Sequence, residues 1–191
     1  MANKVEAFGL RPYRSLNGSP WNNAQNRYTI ADGYATAIFQ GDLVKPVTGG
    51  NIERHAAGTS TAVVGVFNGV TYTDPTTRKP VFSNYYPGNI SSADITAFVI
   101  DDPDTVFLMN ADATFARADI FQNYSVTDVT GNTDTGISKV ELDVSESGTN
   151  ASYMVRAIDI SQDPSNSDVA SADANVLVKI NNHFYRETTG I

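Results

Sequence analysis

The chain has 191 residues, 41% hydrophobic and only 18% charged, with no cysteine and a net charge of −8. That length fits one domain or two small ones with a sizeable core. The missing cysteines exclude disulfides and thiolate metal sites. The acid excess opposes nucleic-acid binding, which relies on neutralising phosphates, and no apolar run reaches the length of a bilayer-spanning helix. The start, MANKVEAFGL, lacks the apolar stretch of a secretory signal, so synthesis in a cytoplasm is expected. Thr, Ser, Asn and Gly replace the usual charged residues, a composition that favours strands and turns over helices.

Residues 1–26 read as an extended arm. Pro12 and Pro20 disfavour helix before them, and NGSP and WNNAQN have turn and loop composition. The arm is still rich in Phe8, Leu10, Tyr13 and Trp21, interleaved with Arg11 and Arg14 and followed by Arg27. Aromatics and arginines on an irregular backbone are typical of interfaces. Residues 1–31 carry four bases against one acid, whereas Asp94–Asp173 carries 15 acids and three bases. Such an arm either folds back on its own domain or docks on another chain. The charge asymmetry favours docking, with those seven residues as the expected interface.

Residues 27–191 read as a β-rich body, divisible into sub-modules at about 27–112 and 113–191. RYTI, TAIF and DLVKPV are short strand-like runs, and Pro46 demotes the third to an edge or an end. TAVVGVFNGVTYTD (61–74) offers two β runs, with Gly65 at a bulge or close backbone approach and FNG as a tight turn. The spacing suits a small, strongly bent barrel. A Pro- and Tyr-bearing loop (74–89) precedes ADITAFVID (93–101), which reads as buried on both faces. DTVFLMNAD (104–112) reads as the next strand. DATFARADIFQNY (112–124) is the one plausible helix, a turn or two capped by Asp112, with Phe115, Ala118 and Phe121 at spacing three. GISKVELDV (136–144) and ASYMVRAIDI (151–160) alternate as half-exposed strands, and VLVKINNHFYRE (176–187) closes the series after a long polar, mobile loop at 161–175. The expected fold class is all-β: a small barrel or sandwich with long loops, an extended N-terminal arm and at most one or two short helices.

Enzyme chemistry finds little footing. The two histidines, His55 and His183, form no metal-binding pair and read as surface or interface residues. No nucleophile elbow or phosphate-cradling glycine loop occurs. IDDPD (100–104) concentrates acids, but Asp101 and Asp102 are adjacent, so on a strand they face opposite ways. A strand end with an Asp-Pro turn is the plain reading, and calcium held by Asp101, Asp102 and Asp104 is the functional alternative. Tyr72, Tyr85 and Tyr86 suit core-rim packing or a sugar-stacking platform. No catalytic residue, cofactor or metal is expected.

Five stretches in order, FGLRPYRSLNGSPWN, YTIADGYATAIFQGDLVKPVTGG, VGVFNGVTYTD, AFVIDDPDTVFLMNAD and VLVKINNHFYR, resemble head cement (decoration) proteins of tailed bacteriophages, marine ones in particular. The resemblance implies a structural, β-rich virion protein, a homotrimer on the outer surface of an icosahedral capsid, made in the host cytoplasm and bound to the major capsid protein. It implies neither nucleic acid nor membrane as partner and supplies no catalytic residues. The alternative is a carbohydrate-binding or host-adhesion module on the virion surface.

Overall fold

The structure is a computed structural model describing residues 3–58 and 60–191, so the first two residues of the expected arm lie outside the described ones. Its strands, in chain order, are β1 (Arg11–Ser15), β2 (Asn26–Thr29), β3 (Leu43–Val47), β4 (Asn51–Arg54), β5 (Gly65–Thr73), β6 (Pro80–Ser83), β7 (Thr96–Ile100), β8 (Thr105–Asn110), β9 (Asn123–Val126), β10 (Leu142–Gly148), β11 (Val155–Ile160) and β12 (Asn175–Ile180). Two three-residue 3-10 turns, Arg117–Asp119 and Phe184–Arg186, are the only helical pieces among the described residues. The protein is all-β.

The strands form two sheets. One runs β3-β4-β2-β7-β5-β6, and a further β3–β5 pairing closes five of its strands into a barrel with β6 appended. The other runs β1-β8-β12-β11-β9-β10. The chain crosses from barrel to second sheet at residues 101–104, earlier than the boundary near 112 expected from the sequence. The strand from the start of the chain also belongs to the later sheet.

Side-chain parity explains why barrel and sheet stay together. Val44, Phe67, Val70, Ala97 and Val99 fill the barrel interior. Their neighbours Leu43, Val66 and Ile100 point outward into a second, larger core shared with Phe107, Met109, Val176 and Val178 of the other sheet. Strand β7 thus alternates, with Phe98 and Thr96 half-buried rather than enclosed on both faces. In β5 the interior positions jump from Phe67 to Val70 because the register slips between Phe67 and Gly69. The Asn68–Gly69 pair, expected to turn the chain, instead makes a bulge inside one nine-residue strand. Gly65 is a close approach, as expected: a Cβ there would lie 2.3 Å from the Ile100 carbonyl oxygen.

Other local expectations yield to tertiary pairing. The TAIF run contributes only a single bridge, Ile38 to Tyr86. The 136–144 alternation is correct in burial, with Ser138, Val140 and Leu142 inside, but regular pairing starts only at Leu142. The expected helix at 112–124 shrinks to the turn at Arg117–Asp119. Asp112 does not cap it, since its Oδ1 accepts from the Val144 amide at 3.0 Å. Phe115 enters the core beside Tyr124, and the Phe121 amide bonds to Ala157 of β11. The segment divides its backbone hydrogen bonds between the short turn and the neighbouring strands, which leaves no continuous helix. The 161–175 loop is pinned by the N-terminal segment: Asn166, buried, donates to the Lys4 and Asp173 carbonyls at 2.8 and 2.9 Å.

The expected arm requires the largest correction. Residues 11–15 are a strand of the second sheet, antiparallel to β8, with Arg11 opposite Leu108 and Ser15 opposite Thr105. Phe8 and Leu10 are 4% and 1% exposed and pack inside their own chain. Gly9 crosses Gly41 at backbone contact, and the Leu10 amide donates to the Gly41 carbonyl at 3.0 Å. Both glycines have positive φ, +69° and +98°, a region open to glycine at no steric cost.

Candidate functional site

Among the described residues no group of three or more His, Cys, Asp or Glu is placed to hold a metal ion. The IDDPD acids have other partners. Asp101 accepts both Asn26 Nδ2 contacts at 3.0 Å and the Tyr28 hydroxyl at 2.5 Å. Asp102 Oδ1 caps the Asp104 amide at 2.9 Å, and Asp104 pairs with Arg186. These contacts fasten the C-terminal turn to β2, because the Tyr185 hydroxyl also lies 2.6 Å from that of Tyr28. Burial, reinforced by Asp101, pushes the Tyr28 phenol well up.

Both histidines are buried, not at the surface: His55 is 4% exposed and His183 fully enclosed. Burial lowers each to about 4. His183 Nδ1 accepts from the Tyr185 amide at 3.2 Å, and His55 Nε2 donates to the Thr61 carbonyl at 3.1 Å. The three tyrosines form no exposed platform. Tyr86 is fully buried and stacks on Tyr34, Tyr85 stacks on Phe39, and Tyr72 is 8% exposed.

A buried charge network joins the two sheets. Asp42, at the start of β3, accepts from Ser138 Oγ at 2.6 Å, the Phe39 amide at 2.9 Å and Arg54 Nε at 3.2 Å. Burial pushes the Asp42 carboxyl up, while these donors pull it down. Arg54 of β4 continues to Asp128 at 2.8 Å and to the Val129 carbonyl. Its geometry is that of a clamp: both Asp42 oxygens, themselves buried, are held by fixed donors from three different segments.

What the surface offers is cationic and aromatic. Of the seven residues expected at an interface, Phe8 and Leu10 are core and Trp21 is half-buried against it. Arg11 is exposed, its guanidinium 4.1 Å above the Phe8 ring. Tyr13, 55% exposed, and half-buried Arg14 lie on β1, the edge strand of the second sheet, followed by exposed Leu16. Arg27 lies on the barrel exterior, 5.8 Å from the Phe98 ring, and Phe82 packs on the other side of Phe98 at 5.6 Å. On the intervening strand β5, Gly69 is opposite Phe98 and Thr71 is opposite Phe82, so the two rings meet on a diagonal across that strand. Phe82 is 76% exposed. The seven residues therefore divide between a buried anchor and two separate exposed surfaces.

Phe82 and Phe98 were not legible as surface residues. The 93–101 run reads as buried on both faces, and 74–89 reads as loop. No local signal set them apart, because the strand neighbours that leave one side of Phe82 and Phe98 uncovered are distant in sequence. No helix among the described residues is long and apolar enough to cross a membrane. In comparison with known proteins, no family model, no curated protein and no solved structure matches the chain.

Proposed function

We propose that the chain is a structural decoration protein that binds the outside of an icosahedral phage head and bridges neighbouring capsomers. One observation carries this reading beyond the sequence resemblance: exposed Arg27 and Phe82 flank half-buried Phe98 on paired strands of an otherwise acidic chain. Desolvated aromatic and arginine anchors dominate protein contacts, and placement on paired strands limits the ordering cost of docking. Tyr13 and Leu16 on the β1 edge supply a second footprint. Two weak footprints on one body act at high effective concentration, and a homotrimer multiplies them again. The partner is the major capsid protein, and the attached protein faces solvent, for which the acidic remainder is suited.

Undecorated shells mixed with purified protein test the reading, with occupancy read by co-sedimentation and electron microscopy. Wild type decorates the shells, and the mass of the free protein is that of a trimer. Arg27→Glu with Phe82→Ser lowers affinity at least about tenfold while the fold, by circular dichroism, is unchanged. Attachment weakens as salt rises, because Arg27 and Arg11 meet acidic surface. Full occupancy by the double variant, or no binding by wild type, overturns the proposal.

A further inference from the structure

Phe121 combines two features that rarely coincide. It is 77% exposed, and its φ is +75°. A bulky residue in that region is a conformational outlier, and such strain persists only where the surroundings enforce it. Here they do. The Phe121 amide donates to the Ala157 carbonyl at 3.0 Å, and the Ala157 amide donates to the Gln122 carbonyl at 3.1 Å. Strand β11 thereby grips residues 121 and 122 and drives the ring into solvent.

The ring forms one wall of a surface depression of about 390 Å³, otherwise lined by Arg117, Ala118, Ile120, Ile158 and Asp159. Its floor is firm, because Ile120 packs against the larger core. A cavity of about 150 Å³ suffices for a benzene ring, so this one accommodates a phenylalanine side chain. The rim carries both signs of charge. Arg117 makes no ion pair or side-chain hydrogen bond among the described residues, and the Asp159 carboxylate meets only the Ile160 amide, at 2.9 Å.

The geometry points to a self-contact: this face binds the same face of a second copy about a two-fold axis. Each Phe121 enters the depression of the other copy, and each Arg117 faces Asp159 of the partner subunit. An isologous contact requires one patch to hold both halves of every interaction. This patch holds a knob with a hole and a free cation with an available carboxylate, all within one short turn and the strand beside it. The contact is small, so it is weak between free molecules and strengthened wherever copies are already held side by side.

Sedimentation velocity of the purified protein, without shells, tests this from micromolar to millimolar concentration. The sedimenting unit doubles in mass as concentration rises. Phe121→Gly removes both the ring and the strain, so it weakens doubling by about tenfold or more while the melting temperature holds or rises. Arg117→Asp and Asp159→Arg each weaken doubling through like charges, and the two together restore it. Three results overturn the inference: no doubling by wild type up to millimolar, unchanged doubling by Phe121→Gly, or a charge-swapped double variant no better than either single. The charge-swap arm stands even if the glycine variant misfolds. Since no shell is present, the outcome is independent of capsid attachment.

Discussion

Acidification from pH 7.5 to 5.0 should destabilise the protein through two buried imidazoles. Burial lowers His55 and His183 from 6.5 to about 4 in the fold. A base depressed by folding contributes stability that is full above its unfolded value and lost as the pH falls from about 6.5 toward 4. At pH 5.0 the linkage relation gives a loss of about 2 kcal/mol per histidine, or about 4 kcal/mol for both. Against a total of roughly 5–15 kcal/mol, that is a large share. The neighbours do not cancel it. Lys45 and Arg54 oppose a charge on His55 while Asp128 favours one, and Arg186 opposes a charge on His183 while Asp101 and Asp102 favour one. Protonation also turns His183 Nδ1, which accepts from the Tyr185 amide, into a donor facing a donor. Asp42 and Glu141, both raised by burial, bind protons more readily when folded and offset part of the loss at the acid end. Urea titrations followed by fluorescence of Trp21, the single tryptophan, read the effect. With a slope of about 2 kcal/mol per molar, the midpoint falls by about 2 M between the two pH values. His55→Gln with His183→Gln should abolish most of that difference. An equal fall in the double variant, or a flat midpoint in wild type, refutes the reasoning.

Three further outcomes test the packing. Gly9→Ala places a methyl group 2.5 Å from the Gly41 carbonyl oxygen at a positive φ, so it should cost more than about 1 kcal/mol, read as a lower melting temperature. Arg54→Ala leaves the buried Asp42 carboxylate without its cation and should cost about 3–5 kcal/mol, with part of the loss recovered in Arg54→Ala/Asp42→Asn. Leu10→Ala opens the shared core and should cost about 2–5 kcal/mol by denaturant titration, a loss foreign to a dispensable arm.

The sequence was most legible where a strand is buried against neighbours of its own kind. Strand β8 lies inside its predicted run and β12 starts one residue ahead of its own, ending at Ile180, because Val106, Phe107, Met109, Val176 and Val178 are apolar beyond any competing pattern. Gly65 was readable because a glycine amid valines has few reasons to be there other than close approach. Position 11–15 was not readable as strand, since its partner β8 lies far along the chain, Ser15 pairing with Thr105 and Arg11 with Leu108, and Pro12 argues against pairing locally. The register slip at Asn68–Gly69 hides likewise, because the dipeptide suits a turn as well as a bulge, and β6 and β7 on either side decide between them. The histidines misled through the same blindness: composition counts imidazoles, but only packing tells which are enclosed. Phe121 shared a spacing of three with Phe115 and Ala118, and that coincidence masked a residue turned outward.

Residues from opposite ends of the polypeptide finish each other's half. Strand β1 borders the sheet assembled from β8 to β12, while His183 bridges to Val63 beside the barrel. On a ribosome, residues 26–100 emerge with all the barrel strands, yet Phe8 and Leu10 wait until β8 is synthesised before the site of β1 exists. The last turn then seals the first half. Translation order and assembly order diverge, and nascent chains stalled before residue 105 should keep their leading segment open to proteases while the barrel behind it already resists them.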